Sequence, residues 1–280
     1  MKPVRALLVS TVALLALAGV ARGDDTDIFL TNLTTTSGKP NIMILVDNTS
    51  NWARQAQQWP DNGGTQGAAE LAAVRNVIAT NTTANIGLAG YTTSGSGGGY
   101  VRYAIRDMSV AANRNALSGI LNYITAGNTI NSPSEKVNSG SYETAAMYEM
   151  YKYFKGLSVF RGAKVSGSDP ARNVDINGNL GDGASATAFG QGGSNLVGNW
   201  AYTGSTYNSP SAGGGCGSNT LIMIVNNAQG TIPAGDQSYE GVSAGSALPQ
   251  IPGVTDPSWT DEWARVLYQN GISVYILDAY

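Results

Sequence analysis

The stretch PNIMILVDNTSNW, residues 40–52, decides the reading of this chain. Ile42–Val46 is a continuous apolar run without alternation, which marks a strand buried on both faces of a parallel sheet. It stops at Asp47-Asn48-Thr49-Ser50-Asn51, residue types that favour turns and carry oxygen atoms. Three further runs of the same kind follow: Ile86–Tyr91, Leu221–Val225 and Ile272–Leu277. Between them the apolar spacing turns helical. Leu71, Val74 and Ile78 predict a helix over 66–80, and Leu117, Ile120, Leu121 and Ile124 one over 110–124. Met147, Met150, Tyr151 and Phe154 predict a helix over 143–155. Trp263, Val266 and Leu267 predict another over 259–269, with Ser258 as N-cap and Gly271 past its end. Tyr100–Met108, directly after a glycine run, adds an edge strand. Strand alternating with helix predicts an α/β fold, a doubly wound, mostly parallel, Rossmann-like sheet with the four apolar runs as its central strands.

Composition narrows the function. Charged residues make up 12% of the 280 residues, about half the usual share, and 36 glycines with many Ser, Thr and Asn replace them. Sixteen basic against 19 acidic residues, with no basic run, argue against a nucleic-acid partner. The chain has no histidine, which removes Ser-His-Asp and Cys-His catalysis, zinc–histidine sites and a histidine pH switch. Residues 1–23 read as a signal peptide: Lys2 and Arg5, then the apolar stretch Ala6–Ala21, then the small-x-small site Ala21-Arg22-Gly23. Sixteen apolar residues fall short of the roughly 20 that span a bilayer, so cleavage is expected rather than anchoring. Residues 24–39 read as a linker and 40–280 as one domain, an exported module with no transmembrane segment in the mature chain. Two stretches interrupt its rhythm, 156–218 with 15 glycines and 227–257, also rich in Gly, Ser and Pro. Both read as insertions at one end of the sheet. The ending ISVYILDAY reads as a core strand with no closing helix, as in the front part of a longer protein. Cys216 is alone, so it pairs outside these residues or lies buried and reduced.

In an open α/β sheet, ligands bind beyond the carboxyl ends of the strands. Asp47–Asn51 follow the first strand, Asn226-Asn227 follow Leu221–Val225, and Asn138-Ser139-Gly140-Ser141 precede the helix 143–155. Three oxygen-bearing clusters on one edge suit a hard divalent cation. Here the opening stretch resembles a von Willebrand factor A domain, a family with an Asp-x-Ser-x-Ser metal-ion-dependent adhesion site after its first strand. The remainder resembles the PilY-type proteins of type IV pilus tips: NIGLAGYT (85–92), GGGYVRYAIRDM (97–108), AAMYEMYKYFKG (145–156), YNSP (207–210), CGSNTLIMIVNN (216–227), and Trp259–Ala264 leading into GISVYILD. The ordered series covers about 40 to 278. It implies a metal site of Asp47, Thr49, Asn51, Ser141 and Asn226. Thr49 keeps the hydroxyl of the first serine and Asn51 replaces the second. Ser141 stands for the family's threonine, and Asn226 stands where Thr-Asp-Gly is usual. With one carboxylate of two, Mg²⁺ or Ca²⁺ binding is expected to be weak. The alternative is a metal-free pocket held by hydrogen bonds among Asp47, Thr49 and Asn226.

Other motifs carry less. Asp175-Ile-Asn177-Gly-Asn179-Leu-Gly-Asp182-Gly opens like a calcium loop but has Leu180 and Ala186 where Gly and Glu belong, and reads as a turn cluster. Gly241-Val-Ser243-Ala-Gly245 spells a nucleophile elbow without the flanking strand, helix or histidine. The run GSGGG, 95–99, reads as a flexible hairpin end, and Asp261 and Glu262 as first-turn carboxylates that offset a helix dipole. Trp52, Trp59, Trp200 and Tyr202 lie in polar loops, where they pin loops to the sheet or form a contact patch. The sequence therefore predicts a non-enzymatic recognition module of a pilus-associated PilY-like protein. It would be exported through the periplasm to the cell surface or pilus, binding a protein, cell-surface ligand or pilus subunit. The alternative is a metal-independent structural or pilus-assembly module. N-terminal sequencing of exported material should start near Asp24, and a start at Met1 refutes cleavage.

Overall fold

The structure, a computed structural model, describes residues 38–53, 65–126, 135–140, 142–176, 198–212, 217–225 and 260–279. They fall in one compact unit spanning residues 37–280. The stretch that opened the sequence reading forms β1 (Asn41–Val46), the middle of a five-stranded sheet. It pairs in parallel with β2 (Asn85–Thr92) on one side and β6 (Asn219–Val225) on the other. β3 (Gly98–Asp107) runs antiparallel beside β2, and β7 (Ile272–Asp278) runs parallel beside β6. β4 (Tyr202–Thr203) and β5 (Thr206–Tyr207) form a separate small hairpin. The chain is thus α/β with a mostly parallel central sheet and flanking helices. One strand departs from expectation. The run Ile272–Leu277 is an edge of the described sheet, not a centre, and Ile276 and Leu277 are 42% and 53% exposed.

Successive strand residues point to opposite faces, so each buried run feeds two cores. Ile44 and Val46 of β1 join Ile86 and Leu88 under α1 (Gln66–Thr80) and α2 (Ala111–Ala126), which contribute Leu71, Val74, Ile78, Leu117, Ile120 and Leu121. Met43 and Leu45 face the other way, with Leu221 and Met223. They meet Met147, Met150 and Phe154 of α3 (Glu143–Lys155) and Trp263, Val266 and Leu267 of α4 (Thr260–Gln269). Each such aliphatic or aromatic side chain is worth about 1.5–3 kcal/mol when fully buried. Local signals set the helix ends. Thr65 Oγ1 accepts from the Ala68 amide to start α1. Gly156, at φ +66°, ends α3 in the left-handed conformation that only glycine adopts without strain. Among the described residues no helix is long and apolar enough to cross a membrane.

The glycine run is packed rather than loose. Gly97 (φ +89°) turns the chain between β2 and β3, and a Cβ added to Gly99 would stand 3.0 Å from the Ala146 Cα of α3. β3 thereby lies close against α3. The described part of the first insertion folds onto this layer: Tyr207 N donates to Leu157 O at 3.0 Å, and Val159 N to Ser205 O at 2.8 Å. The rings of Tyr153 and Tyr207 meet edge-on at 5.5 Å. Tyr202 is buried and Trp200 half-buried, which fits the loop-pinning reading of these aromatics. Residues 227–257, Cys216, Trp59, Gly241–Gly245 and the leader 1–23 lie outside the described residues.

β3 also carries two arginines that the core encloses. Arg106 donates from Nη1 to Asp175 Oδ2 at 2.5 Å and from Nη2 to Oδ1 at 3.1 Å, and both side chains are fully buried. Its guanidinium lies 4.5 Å from the Tyr103 ring centroid and 5.3 Å from that of Trp200. Asp175 Oδ2 also accepts from the Ala104 amide at 2.7 Å. Both carboxylate oxygens are therefore engaged by β3, which removes Asp175 from the calcium-loop reading; Asn177, Asn179 and Asp182 lie outside the described residues. Arg102 donates from Nε to Glu135 Oε1 at 2.7 Å, and Tyr100 Oη donates to Glu135 Oε2 at 2.6 Å. Removing one member of a buried pair strands the other charge, at a cost of about 3–5 kcal/mol. Asp175→Ala should therefore lower the unfolding free energy measured in urea by about 3–5 kcal/mol, whereas the joint change Arg106→Met with Asp175→Leu should recover most of it. Equal losses in the two proteins would refute the ion pair as the cause.

Candidate functional site

Asp47 is the first residue beyond β1, and its amide still donates to Ile224 O of β6 at 2.9 Å. It therefore stands at the carboxyl edge, beside the end of β6 and one residue past the core. Its Oδ1 accepts from the Thr49 amide at 3.0 Å, an Asx turn that reverses the chain. Thr49 O accepts from the Trp52 amide at 3.0 Å, closing the 3-10 turn Ser50–Ala53, in which Asn51 falls. Asp47 and Thr49 are both buried. Asn48 points elsewhere: its amide group bonds to both N and O of Tyr91 and donates to Glu135 O, tying β1 to β2 and to the segment 135–140. Ser141 and Asn226 lie outside the described residues, although Tyr142, the N-cap residue of α3, and Val225, the last residue of β6, adjoin them.

The structure adds two carboxylates that the motif did not include. Glu70 of α1 accepts from Trp52 Nε1 at 3.0 Å and from Gln66 Nε2 at 2.9 Å. Burial pushes its carboxyl up to about 8 against the Trp52 hydrogen bond, and the charge of Asp47 adds to the rise. Glu143 opens α3. Burial pushes it up to about 7, against main-chain hydrogen bonds that favour the charged form, and Asp47 again adds to the rise. Neither glutamate takes part in the ion pairs found among the described residues. The Tyr91 hydroxyl, fully buried, has no hydrogen-bond partner among the described residues, and burial followed by the charges of Glu143 and Asp47 raises it well above its usual value. Asp47, Glu70, Glu143 and Tyr91 thus form a buried, acid-rich neighbourhood beyond β1.

The donors are all oxygen, the chemistry of Mg²⁺ or Ca²⁺ rather than a soft metal. Among the described residues, however, no three acidic, histidine or cysteine side chains stand close enough together to hold an ion. Glu70 had a legible signal. It lies four residues before Val74 and four after Gln66, inside the buried stripe of α1 rather than on its wet face. Glu143 reads as an ordinary first-turn carboxylate, and only its nearness to Asp47 shows otherwise. Comparison with protein-family models, curated proteins and solved structures returned no match.

Carboxyls whose folded pKa lies above the unfolded one near 4.5 bind protons more tightly in the folded chain. Stability therefore falls as pH rises through the window between the two values. With no histidine in the chain, the buried carboxyls of Glu70 and Glu143 titrate in the window from about pH 5 to 8. In chelator-treated protein the urea midpoint should drop from pH 5.5 to pH 8.5, and Glu70→Gln should flatten the part above pH 7. An unchanged slope in that variant would show that Glu70 is ionised at neutral pH.

Proposed function

We propose that this chain is the N-terminal von Willebrand A-like module of an exported, PilY-type pilus-associated protein, and that it recognises its partner through the carboxyl edge at Asp47. The observation that carries the reading is the position of Asp47: past the central strand, folded back on Thr49, and electrostatically coupled to Glu143 at the start of α3. The parallel sheet with its ligand-bearing loops supports it, as does the ordered motif series from residue 40 to 278. A bound Mg²⁺ or Ca²⁺ would supply an attachment point for a carboxylate on a protein or cell-surface ligand. Asp47, Thr49, Asn51, Ser141 and Asn226 are the proposed ligands, and the Asx turn fixes the orientation of the Asp47 carboxylate. Glu70 and Glu143, both held toward the protonated form by burial, stand beside the single carboxylate of the motif, and a bound cation would favour their ionised forms. The role is recognition without turnover, since a chain without histidine has no Ser–His or Cys–His pair.

A second reading, a metal-independent structural or pilus-assembly module at the cell surface, is favoured by the single carboxylate of the motif, Asn226 standing where the resembled family has an aspartate. Calorimetric titration separates the two. The first reading expects sub-millimolar to millimolar binding of Mg²⁺ or Ca²⁺ to the chain as it stands, the range of low-charge extracellular calcium sites. Asp47→Ala should abolish it, and Asn226→Asp should tighten it by roughly tenfold. If Asn226→Asp gains no affinity, the pocket is not a latent metal site and the assembly reading takes over.

A further inference from the structure

The opposite edge of the sheet holds a second site. β1, β2 and β6 all begin with asparagine, and the registers place Asn41 directly beside both Asn85 and Asn219. Their side chains join in a row: Asn85 Nδ2 donates to Asn41 Oδ1 at 2.8 Å, and Asn41 Nδ2 to Asn219 Oδ1 at 3.0 Å. Ser211 Oγ closes the row on Asn219 Oδ1 at 3.1 Å. The described part of the first insertion faces this edge. There Asn208 is fixed by donation to Trp200 O at 2.8 Å and to Thr203 Oγ1 at 3.1 Å. Two hollows of about 290 and 520 Å³ lie between the row and the insertion, sharing Asn199, Asn208 and Ser209 as walls. Together they form one groove of the size that takes small ligands.

Its polar valences are only partly used. Among the described residues the Asn199 amide makes no hydrogen bond, and neither do Asn219 Nδ2, Asn85 Oδ1 or Asn270 Oδ1, which also border the groove. Each amide offers both donors and an acceptor, and Asn41 and Asn208 are held in place by their own bonds. Of the charged side chains lining it, Arg106 is neutralised by Asp175 and Asp107 by Lys39, with Lys155 at the far end. A phosphate, sulfate or nucleic-acid ligand calls for converging cations, and an apolar ligand calls for an apolar floor. Fixed neutral amides and serine hydroxyls, with carbon surface from Ile105 and Phe154, instead match a ligand dense in hydroxyls that both donate and accept.

We propose that this asparagine-lined groove at the amino edge of the sheet binds an uncharged oligosaccharide. The site is independent of Asp47 and of any cation, and it gives the module a second contact on its opposite end. The test uses the full mature chain, titrated with maltotriose, cellotriose and triacetylchitotriose and followed through the side-chain amide NMR signals of its asparagines. Trigalacturonic acid serves as an anionic comparison and a Gly/Ser/Asn-rich peptide as a main-chain comparison. At least one neutral trisaccharide should shift the Asn199 and Asn219 amide signals. Asn199→Ala removes no described internal bond, so it should leave the fold intact while weakening binding roughly tenfold. Asp47→Ala should leave sugar binding unchanged, which keeps this result separate from the fate of the cation site. The proposal is overturned if no neutral trisaccharide shifts those signals at millimolar concentration. Stronger binding of the acid or the peptide, or an affinity that survives Asn199→Ala, overturns it equally.

Discussion

The fold depends on how β3 is held. It is the antiparallel edge strand beside β2, yet it is buried along almost its whole length and carries Arg102 and Arg106 into the interior. A buried guanidinium is tolerable only when paired and hydrogen-bonded. The two partners come from segments that would otherwise have little reason to dock: Glu135 from the stretch before α3, and Asp175 from the first insertion. Glu135 also gathers Tyr100 and Asn173, so one carboxylate binds the strand, the insertion and, through its own main-chain oxygen, the Asn48 turn. The requirement to neutralise two arginines therefore positions the covering layer on the sheet and limits where both ends of the domain can open.

The two ends differ in chemistry for the same topological reason. Parallel strands expose all their starts at one edge and all their ends at the other. At the ends, Asp47 comes near Glu70 and Glu143, and desolvation leaves these acids in competition for protons. At the starts, in-register asparagines satisfy one another through neutral amide bonds. One end thus gathers buried titratable acids and the other neutral amides, although they are separated only by the length of a six-residue strand.

Much of this was legible from residue pattern. The helices 66–80 and 143–155 begin and end where apolar spacing placed them, and 110–124 and 259–269 shift by at most two residues at either end. Tyr100–Met108 is legible as an edge strand because it follows a hairpin-like glycine run, and the strand spans Gly98–Asp107. The arginines were not legible as buried. Alternating charge on an edge strand normally means a wet face, and Asp175 lies 69 residues from Arg106. The asparagine row was hidden likewise, since an asparagine before a strand reads as turn chemistry until the register aligns three of them. At the candidate site the sequence named Asp47 and Thr49, whereas Glu70 and Glu143 gain their character from burial, which periodicity does not report.

The glycine run between β2 and β3 bears on how such a protein can drift over generations. A Cβ at Gly97 would fall 2.1 Å from the ring of Tyr142, one at Gly98 3.3 Å from Arg161 Cβ, and one at Gly99 against the backbone of Ala146. Tyr142 precedes and Ala146 lies within α3, whose first residue is Glu143, and Arg161 follows the helix. A codon change from glycine to alanine, ordinarily among the mildest, would here force the Tyr142 ring or the α3 backbone at Ala146 to give way. In this stretch simplicity of composition records the absence of spare room.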